Sequence, residues 1–104
     1  MQEYLKIHTL TEVVTKAENN DPEAQFYLGL MYYFGREVAK NYSEAVKWCR
    51  KSAEQGYTDA QCLLGGMYLN GEGVKQDKTE AVKWFKKAAM QGYAPAQDAL
   101  KKIQ

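Results

Sequence analysis

The sequence predicts an all-α protein: a single domain built as an array of antiparallel helix pairs, with about six helices. The first observation is a repeat, because a shift of 36 residues aligns residues 24–59 with residues 60–95 at 18 identical positions. A fixed period of roughly 20–50 residues is typical of repeat architectures. The second is that apolar residues recur at helical spacing in both units, with no alternation typical of strands. A length of 104 residues suits one domain.

The first helix of each unit is predicted from one apolar stripe. In the first unit the stripe consists of Ala24, Leu28, Met31 and Tyr32. Asp21 suits the N-cap and Pro22 the first helical position. Gly35 suits the left-handed residue that ends a helix, because it has no Cβ. We therefore expect a helix from Pro22 to about Gly35, and its equivalent in the second unit.

The second helix of each unit is predicted to begin after an N-cap residue. Asn41 and Asp77 occupy this position, and Glu44 and Glu80 follow three residues later, which is the spacing of a capping box. Two apolar faces follow, one in each unit: Ala45, Trp48, Cys49 and Ser52, then Ala81, Trp84, Phe85 and Ala88. We expect both tryptophans to be mostly buried, because they recur at the same position of the repeat.

Two glycines interrupt the first helices at equivalent positions, Gly29 and Gly65. A glycine inside a helix costs about 1 kcal/mol relative to alanine. We expect the second helix of each unit to approach closely at these points.

The repeat extends into a half-unit at each end of the chain. Residues 9–19 align with the second helix and are predicted to form an N-terminal capping helix. The full units cover residues 21–56 and 57–92. Residues 94–103 are predicted to form a C-terminal capping helix, because Leu100 and Ile103 align with Leu28 and Met31 of the first helix. Terminal elements with a polar outer face are typical of repeat arrays.

These motifs resemble the Sel1-like repeat, a relative of the tetratricopeptide repeat with a longer loop between its helices. The resemblance rests on Ala-Gln-x-x-Leu-Gly-x-Met-Tyr-x-x-Gly-x-x-Val and on Glu-Ala-Val-Lys-Trp-x-x-Lys-x-Ala-x-Gln-Gly-Tyr. Unit one departs at Glu37, where unit two has Gly73 and the family usually has glycine. The resemblance implies a right-handed α-solenoid that binds other proteins, often as an adaptor in signalling or in bacterial host interaction. Many members of the family are bacterial.

The charge balance excludes several classes of partner. Lys and Arg number 14 against 13 Asp and Glu, which argues against a nucleic-acid binder or a polybasic membrane-surface protein. No apolar stretch is long enough to span a bilayer. Residues 1–7 lack the features of a secretion signal. We therefore expect a cytoplasmic protein, or a periplasmic or secreted one if Met1 stands where a signal was removed.

The sequence contains few residues that could support catalysis. His8 is the single histidine, and we expect it at the surface before the first helix. Cys49 and Cys62 stand where the other unit has phenylalanine, so they are interpreted as small buried hydrophobic residues. The alternative is a disulfide between the second helix of unit one and the first helix of unit two. The sequence predicts no enzyme, no cofactor and no metal site.

A candidate binding surface is predicted from positions that differ between the units. By resemblance to tetratricopeptide geometry, the first helices line a concave surface. The candidate residues are Phe26, Leu30, Tyr33, Phe34, Cys62, Gly66, Leu69, Asp98 and Lys102. Aromatic residues outside the core commonly anchor protein interfaces. Gly66 would leave a gap in this face, and the Asp98/Lys102 pair implies an amphipathic ligand. The alternative is that some aromatic residues of unit one pack on the N-terminal helix.

The predicted function is that of a non-catalytic protein–protein interaction module, which binds a peptide or protein on its concave face. A second hypothesis is a dedicated inhibitor or immunity protein for a bacterial toxin. An enzyme, and self-association through one end of the array, are the remaining alternatives.

Overall fold

The computed structural model describes residues 1–103, which form seven α-helices and no strand. The helices are α1 (Gln2–Ile7), α2 (Leu10–Glu18), α3 (Pro22–Phe34), α4 (Tyr42–Glu54), α5 (Thr58–Asn70), α6 (Lys78–Met90) and α7 (Ala94–Ile103). Among α2 to α7, each helix makes its extensive contacts with its direct neighbours in sequence. The described chain is accordingly elongated, at 40 × 26 × 22 Å. The predicted all-α solenoid is confirmed.

The number of helices is one more than predicted, because the sequence analysis missed α1. This helix has only six residues, too few for a periodic pattern to show. It is held by stacking: the rings of Tyr4 and Tyr27 lie 4.0 Å apart and nearly parallel. His8 therefore lies between α1 and α2 instead of before the first helix, and its partly exposed ring stacks on Tyr4 at 4.3 Å.

The predicted N-caps are confirmed, but the capping boxes are only half formed. The side chains of Asn41 and Asp77 accept hydrogen bonds from the backbone N–H groups of Glu44 and Glu80, at 3.0 and 3.1 Å. The glutamates do not return a bond to the N-cap N–H, as a capping box requires. In both units the N-cap N–H donates instead to a carbonyl of the preceding helix, at 2.9 Å. This bond fixes the second helix of a unit to the first.

The two mid-helix glycines lie at close helix contacts, as predicted. A Cβ atom placed on Gly29 would lie 2.5 Å from Sγ of Cys49 in α4. One placed on Gly65 would lie 3.0 Å from the Phe85 ring and 3.2 Å from the backbone oxygen of Ala81 in α6. A side chain at either position would therefore require the neighbouring atoms of the second helix to shift.

Both tryptophans are mostly buried, as predicted, but Trp48 less completely than Trp84. Trp84 is 9% exposed and packs in one cluster with Ala45 and other residues of α4. Trp48 is partly exposed and packs on the cluster formed by α2 and α3. Because α2 has nine residues and α4 has 13, less of the Trp48 indole is covered. Lys47 and Lys51 lie over its ring.

The loop of unit one adopts the left-handed backbone of unit two in spite of its different sequence. The φ angle is +60° at Glu37 and +75° at Gly73. The departure from the family pattern at Glu37 therefore leaves the loop geometry unchanged.

A repeated glutamine connects consecutive units. Its Nε2 donates to a carbonyl in the last turn of the preceding second helix, and the three bonds are Gln25 to Ala17, Gln61 to Ala53 and Gln97 to Ala89. The last carbonyls of a helix have no partner within the helix. A backbone N–H of the following turn, from Asn20, Gly56 or Gly92, also donates to each of these carbonyls. The glutamine therefore supplies a second donor and joins the helix end to the next unit.

Candidate functional site

A groove of about 370 Å³ runs along one face of α5, toward α3 on one side and the start of α7 on the other. Its apolar lining consists of Phe26, Leu30, Cys62, Leu63, Gly66 and Phe85. Its polar lining consists of Tyr33, Asp59, Asn70, Glu72 and Tyr93. The residues contributed by α5 recur every three or four positions, so they form one stripe of that helix.

The middle of the groove is open because Gly66 has no side chain. A Cβ atom placed on Gly66 would meet no atom within 4 Å, in contrast with its neighbour Gly65. Phe26 is 8% exposed and belongs to the central hydrophobic cluster. Leu30 and Leu63 pack against that cluster and stay partly exposed. The groove therefore has firmly packed apolar walls around an empty centre.

A tyrosine and a carboxylate close one end of the groove. The hydroxyl of Tyr33 donates to the Glu72 carboxylate, whose oxygens both lie at 2.9 Å. Burial and this bond to Glu72 raise the pKa of Tyr33 to about 12. The phenol is therefore a neutral donor and leaves the negative charge on Glu72.

A second tyrosine and carboxylate lie at the other end. Asp59 is in the first turn of α5, and Tyr93 directly precedes α7. Burial and the charge of the neighbouring Asp59 raise the pKa of Tyr93. Both ends of the groove thus combine an aromatic ring with a carboxylate.

The structure brings five of the nine predicted site residues together in this groove: Phe26, Leu30, Tyr33, Cys62 and Gly66. Phe26 supports the wall of the groove and offers little surface to a ligand, because its ring is almost wholly buried. Phe34 lies outside the lining, 58% exposed, with its ring 5.0 Å from that of Tyr33.

The other three predicted residues lie outside the lining of this groove. Leu69 is turned about 60° around α5 from Gly66, at 3.6 residues per turn, and packs on the cluster of α6 and α7. Asp98 and Lys102 are exposed on α7. Their alignment with Cys62 and Gly66 places them one unit further along the array, beyond the walls of this groove.

Six lining residues were missed by the sequence analysis: Asp59, Leu63, Asn70, Glu72, Phe85 and Tyr93. Leu63 and Asn70 differ between the units, so variability could have found them. Tyr93 recurs as Tyr57 and was therefore passed over as scaffold. Glu72 lies in the loop after α5, where the helical stripe no longer indicates which way a side chain faces.

The alternative for the aromatic residues of unit one was packing on the N-terminal capping helix, which is α2, but the stacking contact of unit one is with α1. Tyr27 stacks on Tyr4 of α1. Phe26 instead packs toward unit two, with its ring 5.4 Å from that of Tyr57.

The two cysteines are free thiols, so the disulfide considered from the sequence is not formed. Cys49 is fully buried behind Gly29, and burial raises the pKa of its thiol to about 12. Cys62 is partly exposed in the groove.

A second depression, of about 600 Å³, lies beside α1. It is lined by Gln2, Leu5, Lys6, Gly35, Arg36 and Glu37. Leu5 is the one large apolar side chain in this lining, and Lys6, Arg36 and Glu37 are charged. Along residues 1–103, no helix is long and apolar enough to cross a membrane.

The fold and the groove define a class of protein: an α-solenoid of stacked helix pairs with a groove beside a first helix. The model of the Sel1 repeat family matches residues 22–57 and 58–93. The chain belongs to the Sel1 repeat family. The Sel1 repeat fold is generally a protein–protein interaction module, and its members are typically non-enzymatic scaffolds.

Known proteins of this family share both sequence and structure with the chain. The protective antigen c5321 of uropathogenic Escherichia coli, which displays an SLR fold, is 46% identical over 89% of the chain, with a TM-score of 0.86. A Sel1 repeat protein from Oxalobacter formigenes is 38% identical over 91% of the chain, with a TM-score of 0.88. The sel1-like repeat-containing protein L18 of Acanthamoeba polyphaga mimivirus is 49% identical over 39 residues, or 38% of the chain.

These three proteins are much longer than the chain. It spans 20% of the E. coli antigen, 28% of the Oxalobacter protein and 7% of the mimivirus protein.

Proposed function

We propose that the groove along α5 binds a segment of a partner protein. The observation that carries the proposal is the contrast between Gly65 and Gly66. Packing gives a reason for Gly65, because a Cβ atom there would lie 3.0 Å from the Phe85 ring and 3.2 Å from the backbone oxygen of Ala81. Packing does not need Gly66, because a side chain would meet open space. A glycine that weakens a helix by about 0.5–1 kcal/mol without a packing reason suits a position where a ligand approaches closely.

The walls of the groove support the same proposal. Leu30 and Leu63 keep part of their apolar surface in contact with water, and covering such surface yields about 25 cal/mol per Å². Their backbones belong to helices packed on both neighbours, so the binding surface is formed before the partner arrives. A preorganised surface loses less conformational entropy on binding.

A displayed library of random peptides tests the proposal. Peptides are selected on the wild-type chain, and their affinities are compared for Gly66→Trp, which fills the groove, and Met90→Trp. Met90 is 87% exposed and lies outside the groove lining, so its variant is the matched control. We expect Gly66→Trp to weaken the selected peptides by at least about tenfold, or 1.4 kcal/mol. Met90→Trp should leave their affinities unchanged.

Thermal unfolding of both variants checks that each is folded. Selected peptides that bind Gly66→Trp as tightly as the wild type would show that the groove is not the binding site. A library that yields no binder would count against the proposal in the same way.

A further inference from the structure

We infer that the partner segment carries a basic side chain, lysine or arginine, at each end of the groove and apolar residues between them. The inference rests on the proposed function and adds the chemistry of the partner. It follows from the charges that line the groove, from their spacing and from the position of the chain's own basic residues.

The carboxylate of Glu72 has unused capacity to accept hydrogen bonds. Its two oxygens offer about four acceptor sites, and the Tyr33 hydroxyl supplies one proton to them. Among the described residues no cation pairs with Glu72. A lysine or arginine of a partner would supply the missing donors as charge-assisted hydrogen bonds.

The Asp59 end presents the same combination. Asp59 is half-buried and makes no ion pair within residues 1–103. The ring of Tyr93 lies beside it in the lining. A cation placed between a carboxylate and an aromatic ring gains both a Coulomb and a cation–π attraction.

The basic residues of the chain itself lie elsewhere. The sequence has 14 Lys and Arg, yet none of the described residues lining the groove is basic. Exposed lysines lie instead along α4 and α6, as at Lys47, Lys51, Lys83 and Lys87. The groove therefore keeps its negative charge, which favours a basic partner segment and repels an acidic one.

The geometry of α5 sets the spacing of the two cations. Asp59 and Asn70 mark the two ends of the stripe on α5, about 17 Å apart at 1.5 Å per residue, and Glu72 lies in the loop just beyond Asn70. An extended segment rises about 3.3 Å per residue, so its basic residues would be about five positions apart. The segment between them would lie over Gly66, where the apolar walls leave room for side chains.

The composition of the selected peptides is the first test. Only peptides that Gly66→Trp weakens are counted, since these occupy the groove. We expect them to be enriched in pairs of Lys or Arg about five positions apart, with apolar residues between. Groove-dependent peptides without basic residues would overturn the inference and leave the proposed function standing. If Gly66→Trp weakened none of the peptides, the proposed function would fail first.

Charge-removing variants give the second test, with one selected peptide measured by calorimetry. Glu72→Gln and Asp59→Asn should each weaken binding by about fivefold or more, because each leaves a cation of the peptide without its carboxylate. Glu54→Gln is the matched control, since Glu54 is exposed on α4, outside the groove lining. Affinities within about twofold of the wild type for both groove variants would overturn the inference.

Charge reversal completes the test and guards against a folding artefact. Glu72→Lys should abolish binding of that peptide, and a peptide whose matching basic residue is replaced by glutamate should bind this variant better than it binds the wild type. Melting temperatures establish that each variant is folded. If the Glu72→Lys variant and the glutamate-substituted peptide did not bind each other, although the variant is folded and the peptide soluble, a direct contact at Glu72 would be contradicted.

Discussion

The hydroxyl of Tyr33 donates a hydrogen bond to the carboxylate of Glu72, 39 residues later, with both carboxylate oxygens at 2.9 Å. The bond joins α3 of the first repeat to the loop after α5 of the second. It closes one end of the groove and also couples the two repeats. A mutation at this end of the groove can therefore change both stability and partner binding, and the two effects have to be measured separately.

Tyr33→Phe removes only the hydroxyl and should lower the free energy of unfolding by about 0.5–1.5 kcal/mol, the usual net contribution of one hydrogen bond. Urea unfolding measures this difference. Tyr32→Phe is the matched control, since the Tyr32 hydroxyl makes no hydrogen bond among the described residues. Equal urea midpoints of unfolding for the two variants would mean that the Tyr33–Glu72 hydrogen bond adds nothing to stability.

Alkaline pH should destabilise the protein. Burial raises the pKa of Tyr4, Tyr33 and Tyr57 to about 12, from an ordinary value of 10.0. The folded chain therefore retains phenolic protons that the unfolded chain releases, so this part of the stability is complete below pH 10 and is lost as the pH rises toward 12. Phenolate absorbance and urea unfolding measured across this range should change together. The prediction would be contradicted if all eight tyrosines titrated with the ordinary pKa of 10.0.

Alanine at the two adjacent glycines of α5 should have opposite effects. Gly66→Ala should stabilise the chain by about 0.5–1 kcal/mol, because its methyl group meets open space and alanine favours a helix. Gly65→Ala should destabilise it, because the methyl group would press on Phe85 and on the backbone of Ala81, and overpacking costs about 1–3 kcal/mol. Thermal unfolding compares the pair directly. A gain in melting temperature for both variants would disprove the close contact at Gly65.

The repeated glutamine should matter more inside the array than at its end. Gln61→Ala removes the hydrogen bond to the Ala53 carbonyl and the bond that Gln61 accepts from Gln91, at a buried position. Since each hydrogen bond contributes about 0.5–1.5 kcal/mol, we expect a loss of about 1–3 kcal/mol. Gln97 makes the same bond to Ala89 at 3.2 Å but is exposed. Water can replace it there, so Gln97→Ala should change stability by less than about 0.5 kcal/mol. Similar losses for both variants, measured by urea unfolding, would show that burial does not decide the effect.

The sequence predicted the helices well where their signals are local. Asn41 and Asp77 were identified as N-caps because a side chain three residues from its partner N–H forms its bond within one turn. Gly29 and Gly65 lower the stability of their helices, and this cost indicated close contacts with the second helix of each unit. The helix α1 was missed because its support is a tertiary contact, the stacking of Tyr4 on Tyr27, which local periodicity does not encode.

The candidate site was predicted only in part. Variability between the repeats identified the open position at Gly66 and the wall residues Leu30 and Cys62. The binding stripe predicted on α5 is rotated about the helix axis relative to the residues that line the groove. It therefore included Leu69 and left out Leu63. Chain position alone does not show how far each helix pair turns relative to the next.

By itself, the sequence determined the repeat, its helix pairs and its family, because these depend on periodicity and caps within a few residues of one another. Only the tertiary structure decided that Asp59 and Glu72 lie at the two ends of one groove, facing the rings of Tyr93 and Tyr33. These residues come from different helices and loops, and their meeting depends on how successive helix pairs stack. That stacking results from contacts between successive units, such as the hydrogen bond from Gln61 to Ala53 and the packing of Phe26 against Tyr57.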